Sequence, residues 1–184
     1  PSESPTFLYL GRLTPVKRPL ETISAFAKSG IRNAHLIVVG NEDGVSIDAC
    51  LSVAERWGVG GRTHIVGPAY GSDKLDLMDA ADIHVSMSHK ENFNYSAAEA
   101  IASGMMTILS KGNDLAHTLK QAKLKGVRVV ETNDVEAFSR AMLEASNCGT
   151  SESDRHATTK WAKLHLGVDT YRERIERLLT QYAR

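Results

Sequence analysis

The chain has 184 residues, a length typical of one sizeable domain with its own core. Hydrophobic residues make up 42% of it and charged residues 24%, and no apolar run approaches the roughly 18 residues that span a bilayer, so we expect no integral membrane segment. Lys plus Arg and Asp plus Glu both count 22, and the resulting net charge of zero argues against a nucleic-acid partner.

Six short runs rich in Val, Ile and Leu predict buried parallel strands. The predicted strands cover residues 6–10, 34–39, 63–67, 82–87, 106–110 and 127–131. Helical patterns lie between and after them, at residues 19–28, 47–57, 74–80, 95–103, 116–123 and 135–145. This alternation predicts an α/β fold, a doubly wound, Rossmann-like parallel sheet of six strands in the common order 3-2-1-4-5-6 with helices on both faces.

The C-terminal tail follows the polar stretch "SNCGTSESD" and predicts two further helices, at 154–166 and 170–183. Gly167 separates them, and Asp169 is a suitable cap for the second. The two helices share an apolar stripe at spacings of three and four, formed by Trp161, Leu164, Val168, Tyr171, Ile175, Leu178 and Tyr182. The stripe packs either on this domain or partly on a neighbouring one, and the sequence leaves both open.

A ligand in a doubly wound sheet binds beyond the carboxyl ends of the strands, where the winding direction reverses. In the predicted strand order that point lies between strands 1 and 4, so "GRLTPVKRP" and "SHKENFNYS" should face one another. The first loop carries Arg12 and Lys17, two cations that can hold a diphosphate. Taken alone, such a pair is more often a solvated surface feature.

The second loop carries Glu91 and runs into a slim, alanine-rich helix that contains Glu99. Asn94 is a good N-cap for this helix, which should end before Gly104, and its free N–H groups suit an anion or a hydroxyl. If both acids were helical they would lie about 12 Å apart along the axis. Such a separation fits a glycosidase pair poorly but suits two acids that hold different parts of an elongated ligand.

These elements resemble the C-terminal, donor-binding domain of the retaining GT-B glycosyltransferases, in particular family 4 of the glycosyl transferases group 1. The family's G-R-x4-K element appears as Gly11, Arg12 and Lys17. Its E-x7-E motif appears as Glu91, Phe93, Glu99, Ala100, Ala102 and Gly104. Further matches in "LIVVGNEDG" and "THIVGPAYGSDKLDLMDAADIHVSMS", with a final amphipathic helix, extend the resemblance over nearly the whole chain.

The resemblance implies a site for a nucleoside-diphosphate sugar with UDP, GDP or ADP as the nucleotide. Arg12 and Lys17 would bind the diphosphate and stabilise the departing group, Glu91 would hold the transferred sugar, and Glu99 would take the ribose hydroxyls. Arg12, Lys17 and Glu91 are thus the implied catalytic residues. The implied donor-binding residues are Gly11, Arg12, Lys17, Gly67, Pro68, Ala69, Glu91, Asn92, Phe93, Asn94, Tyr95 and Glu99.

Among these positions, Gly67 to Ala69 would meet the base through their backbone, and the amides of Phe93, Asn94 and Tyr95 would assist at the sugar or phosphate. Asn92 and Asn94 stand where the family has glycines, which alters how closely a sugar approaches the turn, although Asn tolerates left-handed backbone geometry.

The family also implies the partner and the setting of the chain. An N-terminal Rossmann domain would bind the acceptor, and the predicted tail helices at 153–184 would partly pack on it. A chain of 184 residues cannot include that domain, so it should be inactive alone. Such enzymes are metal-independent, need no cofactor and commonly work in the cytoplasm, some of them at the membrane surface.

The remaining polar residues predict no metal site. The chain contains no Asp-x-Asp, its seven histidines show neither H-x3-H nor H-E-x-x-H spacing, and only His89 falls in the proposed crevice. Cys50 and Cys148 lack C-x-x-C spacing and predict free thiols in a reduced compartment.

The sequence leaves other functions open. A GT-B-like sugar-nucleotide epimerase or phosphorylase would share the fold, although no cofactor-lysine motif favours the phosphorylase. A non-catalytic module that binds nucleotide sugars is a third candidate, which Asn92 and Asn94 encourage. A nicotinamide-binding domain is disfavoured because the turn after the first strand reads "GRLTPVK", not G-x-G-x-x-G.

Overall fold

The computed structural model describes residues 3–170 together with residues 172 and 176. Its strands are β1 Thr6–Leu10, β2 His35–Val39, β3 Thr63–Val66, β4 Ile83–Ser86, β5 Met106–Ser110 and β6 Val127–Val130. Its helices are α1 Pro19–Lys28, α2 Ile47–Arg56, α3 Gly71–Asp79, α4 Tyr95–Ala102, α5 Asp114–Ala122, α6 Val135–Cys148 and α7 Glu152–Leu166. A short 3-10 turn, Gly60–Arg62, precedes β3.

The six strands form one parallel sheet in the order β3-β2-β1-β4-β5-β6, which confirms the predicted order. Every residue of β4 and β5 is buried, because helices cover both faces of the central strands. The winding direction reverses between β1 and β4, which pair directly through Phe7 with Ile83 and Leu8 with His84. The predicted crevice therefore lies at the carboxyl ends of these two strands.

Helices α1, α2 and α6 cover one face of the sheet, where the rings of Phe7 and Phe26 meet edge to face at 5.9 Å between centroids. Helices α3, α4, α5 and α7 cover the other face. Ala97 and Ala100 of α4 are fully buried, because their small side chains allow this helix to lie close to the sheet. This close packing fixes the position of α4, which carries Glu99.

Several helix ends differ from the prediction by two or three residues. Helix α3 begins at Gly71, not at Lys74, and α5 begins at Asp114. Helix α6 continues to Cys148, and α7 starts two residues early because the Ser151 side chain accepts a hydrogen bond from the Asp154 amide. Only the first or last residues of these helices differ from the prediction, and the order of the elements is unchanged.

The predicted stripe of the tail divides at the end of α7. Trp161 packs against the core beneath α4 and α5, whereas Leu164 is 58% and Val168 is 74% exposed. The predicted last helix lies almost wholly outside the described residues, as do Tyr171, Ile175, Leu178 and Tyr182. In the part of the chain that the structure describes, no helix combines the length and the apolarity needed to cross a bilayer.

Candidate functional site

The loops after β1 and β4 meet directly, as the sequence predicts. The His89 amide donates a 2.8 Å hydrogen bond to the Val16 carbonyl, which joins the two loops by their backbones. Helix α1 begins at the predicted Pro19, after Arg18 in a left-handed conformation. The side chains of Lys17 and Glu91 are thereby brought to the same edge of the sheet.

The loop after β1 is held by its neighbour, the loop after β2. The Gly11 amide donates to the Val39 carbonyl at 3.0 Å, and the Leu13 amide donates to Asn41 at 2.8 Å. Leu13 is fully buried and anchors the loop. A side chain on Gly40 would place its Cβ 1.9 Å from the Gly11 carbonyl oxygen, so this approach requires a glycine.

Arg12 follows this anchor and points outward. The Tyr9 hydroxyl donates to the Arg12 carbonyl at 2.7 Å, which fixes the backbone, while the guanidinium pairs with the Asp43 carboxylate. The Arg12 side chain remains 62% exposed, so a ligand can reach it. Asp43 was not among the predicted site residues.

Glu91 is held at both of its backbone polar groups by the loop after β5. Its amide donates to the Gly112 carbonyl at 3.0 Å, and its carbonyl accepts from the Asp114 amide at 3.1 Å. Its carboxylate lies 3.1 Å from the Lys17 ammonium, and both side chains are less than one fifth exposed. The first acid of the motif thus belongs to a rigid loop, as the sequence indicates.

Glu99 lies one turn from the end of α4, and its carboxylate pairs with Lys74 of α3 at 2.7 Å. This pair is more exposed than the first, with Lys74 at 27% and Glu99 at 43%. Lys74 is not a predicted site residue, because the sequence of a helix does not show that one of its lysines pairs with a glutamate 25 residues away.

A cavity of about 640 Å³ lies between these two ion pairs and is called the main cavity here. Its wall includes both ion pairs, Lys17 with Glu91 and Lys74 with Glu99, together with Arg12. The rest of the wall is formed by Leu10, Gly11, Val39, Gly40, Asn41, Pro68, Ala69, Tyr70, Tyr95 and Ser96. Three cations against two carboxylates give the wall a positive balance that suits an anionic ligand.

A second cavity, of about 710 Å³, adjoins the first and shares Arg12, Lys17, Glu91 and Tyr95 with it. Asn92 and Phe93 line this second cavity, and the Phe93 ring meets the Tyr95 ring edge to face at 4.9 Å between centroids. Of the predicted donor-binding residues, Gly67 and Asn94 line neither cavity.

Asn94 turns inward and caps α4. It is 1% exposed, and its Oδ1 accepts from the Ala97 amide at 3.2 Å. Its Nδ2 donates to Ser86 at 2.7 Å and to Asn113 at 3.0 Å. The helix cap predicted here is confirmed.

The left-handed backbone considered for the two asparagines is absent. In the described part of the chain, only Arg18 and Lys123 among the non-glycine residues have a positive φ. The Asn94 side chain accepts the hydrogen bond of the Ala97 amide. The N–H groups of Tyr95 and Ser96, two residues that line the main cavity, are left without an intrahelical acceptor.

Two histidines near the site do not enter the cavities. The His89 ring lies 3.2 Å from the Asn133 amide nitrogen, outside both cavity walls. His84 of β4 is 1% exposed, and neither ring nitrogen has a hydrogen-bond partner among the described residues. Burial, with a smaller effect of the Lys17 charge, lowers the pKa of His84 from 6.5 to about 3, so the ring is neutral at physiological pH.

The described residues contain no group of three or more His, Cys, Asp or Glu side chains placed to hold a metal ion. The cations at the main cavity are the side chains of Arg12, Lys17 and Lys74.

A doubly wound sheet with a charged cleft at its switch point defines a Rossmann-like α/β domain. Residues 1–164 match the family model described as glycosyl transferases group 1, and the chain belongs to that family. The D-inositol 3-phosphate glycosyltransferase of Saccharomonospora viridis is 24% identical over 191 residues, covering 99% of this chain and 43% of that protein.

Solved structures show the same fold. Anabaena Alr3699/HepE in complex with UDP has a TM-score of 0.81 at 18% identity, over 97% of this chain and 49% of that one. The C-terminal domain of the group 1 glycosyl transferase LpcC from Francisella tularensis has a TM-score of 0.73 at 18% identity, over 91% and 88% of the two chains. The present chain therefore spans less than half of the S. viridis relative and of HepE.

Proposed function

We propose that this chain is the donor-binding half of a retaining family 4 glycosyltransferase, which transfers a hexose from a nucleoside-diphosphate sugar to an acceptor held by an N-terminal domain. One observation carries the proposal: Arg12, Lys17, Glu91 and Glu99 all line the main cavity. These are the residues to which the family resemblance gives the diphosphate, the sugar and the ribose. HepE, with the same fold, has been solved with UDP and with UDP-glucose.

The division of labour follows from the charges. The Arg12 guanidinium and the Lys17 ammonium would meet the diphosphate and stabilise the charge that grows on it as the glycosidic bond breaks. In the structure Arg12 pairs with Asp43 and Lys17 pairs with Glu91. The diphosphate would replace or share those partners.

The two acids would serve as hydroxyl acceptors. Glu91, on its fixed loop next to Lys17, would hold the transferred sugar, and Glu99 would hold the ribose. The exposed amides of Tyr95 and Ser96 at the start of α4 would add donors for an oxygen of the sugar or phosphate. Pro68 and Ala69 line the same cavity, and their backbone would meet the base.

The proposal requires neither a metal nor a cofactor, because Arg12 and Lys17 supply the positive charge that phosphate chemistry needs. It also places the enzyme in the cytoplasm, which suits the unpaired thiols of the buried Cys50 and the exposed Cys148.

Ligand binding by the 184-residue chain is the first test. Millimolar UDP, GDP or ADP, or the corresponding sugars, should raise its melting temperature in the presence of EDTA, because a ligand that binds only the native state stabilises it. A folded sample whose melting temperature is unmoved by all of them would refute the donor site.

Two variants test the assignment of the acids. Glu99→Ala should weaken UDP about tenfold or more, since it removes a charged hydrogen-bond acceptor. Glu91→Ala should leave UDP binding unchanged and weaken only UDP-sugars. Glu144→Ala is the matched control, because it removes an acid paired with Arg128 outside both cavities. Equal losses for UDP and UDP-sugar in both site variants would contradict the division of roles.

A further inference from the structure

We propose that Lys74 is a positioning residue, which holds the Glu99 carboxylate in the orientation that accepts the two ribose hydroxyls. The inference rests on the proposed function, and it assigns a role to a residue that is not part of the two family motifs.

The contact itself is the first observation. The Lys74 ammonium reaches from α3 to α4 and lies 2.7 Å from Glu99 Oε1 at the wall of the main cavity. In the described part of the chain, this is the one hydrogen-bond or ion-pair partner of the Glu99 carboxylate. The orientation of that carboxylate therefore depends on Lys74.

The two acids of the cavity differ in how they are held. The backbone of Glu91 is clamped by Gly112 and Asp114, and its side chain is 19% exposed. The Glu99 side chain extends from a helix and is 43% exposed, with no loop to enclose it. An exposed glutamate samples several rotamers, and a partner that selects one of them lowers the ordering cost when a ligand binds.

The pairing leaves Glu99 able to bind. A carboxylate has two oxygens with about four acceptor positions, and the Lys74 contact uses one of them on Oε1. The remaining positions can take two hydroxyl donors from adjacent carbons.

The experiment compares two ligands that differ only in the ribose hydroxyls. Calorimetry on the 184-residue chain measures the dissociation constants of UDP and of 2′,3′-dideoxyuridine diphosphate, and of the matching pair with guanine or adenine if that base binds more tightly. Lys74→Met should weaken the ribonucleotide about tenfold and change the dideoxy analogue less than about twofold. Lys74→Arg, which keeps the charge and the donor, should restore most of the loss.

Two controls separate positioning from a structural role. Lys120→Met removes a lysine paired with Glu131 at 2.6 Å, away from both cavities, and should change neither affinity. The exchange of Lys74→Glu with Glu99→Lys re-forms an ion pair but replaces the hydroxyl acceptor. This double variant should recover any melting temperature that Lys74→Met loses, but it should not recover UDP binding.

The proposal is overturned if Lys74→Met binds UDP as tightly as, or more tightly than, the unmodified chain, since Lys74 would then be neutral or a competitor. Equal losses for UDP and the dideoxy analogue would mean that Lys74 contacts the phosphate or base directly. Full UDP binding by the charge-exchanged variant would also contradict it. If the unmodified chain binds no nucleoside diphosphate, the proposed function fails as well, whereas UDP binding that is insensitive to Lys74→Met overturns only this inference.

Discussion

Two buried polar side chains of β4, His84 and Ser86, differ in their hydrogen bonding: Ser86 has partners and His84 has none among the described residues. Ser86 belongs to a group that joins the ends of β4 and β5 to the start of α4, here called the Asn94 cluster, formed by Ser86, Ser88, Asn94, Ser110 and Asn113. His84 lies two residues earlier, beside Leu8 and Thr107 in the sheet, and both of its ring nitrogens lack a partner in the described structure.

The Asn94 cluster holds the site in place, whereas the burial of His84 costs free energy. The Asn94 cluster satisfies its members while it fixes the N-terminus of α4 and the loop that carries Glu91, so its polar atoms hold the site in place. His84 is buried in its neutral form and its ring nitrogens gain no hydrogen bond in return. We therefore expect changes in the cluster to destabilise the fold and the loss of the His84 ring nitrogens to stabilise it.

The largest effect should come from Asn94→Ala. The change removes the cap of α4 and leaves Asn113 Oδ1 and Ser86 Oγ without their donor, so the free energy of unfolding should fall by about 3 kcal/mol. Urea denaturation measures it. Asn92→Ala is the matched control, because Asn92 is an exposed asparagine of the same loop, and it should change stability by less than about 0.5 kcal/mol. Similar losses in the two variants would remove the basis of the comparison.

The next effect is a dependence of stability on pH. The pKa of His84 is 6.5 when exposed and about 3 when buried, so between these values the unfolded chain binds a proton that the folded chain does not. Above pH 6.5 the ring is neutral in both states and this effect is absent, whereas from pH 6.5 towards pH 3 it lowers the free energy of unfolding by about 1.4 kcal/mol per pH unit.

From pH 7.5 to 4.5 this contribution should reach about 2.5 kcal/mol. Carboxylates also titrate in that range. The quantity to measure is therefore the difference in the free energy of unfolding between the unmodified chain and His84→Leu, obtained by urea denaturation at each pH. If the free energy of unfolding changed with pH by the same amount in both proteins, His84 would have the same pKa in the folded and the unfolded chain, which contradicts the prediction.

The strands and their order could be predicted because local patterns set them. Continuous apolar runs such as "TFLYL" and "MTILS" are typical of a strand that is covered on both faces, and their alternation with helices indicates a parallel sheet, for which 3-2-1-4-5-6 is a common order. Helix starts are harder to predict, because a cap depends on one side chain: the sequence contains several polar candidates before α7, and Ser151 is the one that caps it, whereas Asn94 caps α4 as predicted.

The main features of the site could be predicted for the same reason. Arg12, Lys17 and Glu91 follow strands whose ends meet at the switch point, so topology alone brings them together. The pairs of Arg12 with Asp43 and of Glu99 with Lys74 could not be predicted, because they depend on loop paths and helix positions that no periodicity records. The inward rotation of Asn94 depends in the same way on Ser86 and Asn113, which are distant in sequence.

The smallest effect, and the most direct test of the comparison, is the stability of His84→Leu at pH 7.5. Leucine fills a similar volume with no atom that needs a hydrogen bond, so removing two unpaired ring nitrogens should raise the free energy of unfolding by about 1 to 2 kcal/mol. His84→Asn is the control, because it keeps polar atoms in the same apolar surroundings and should bring no gain. A loss of stability in His84→Leu would mean that the ring nitrogens are paired in solution, in which case His84 belongs with the Asn94 cluster as a satisfied polar group.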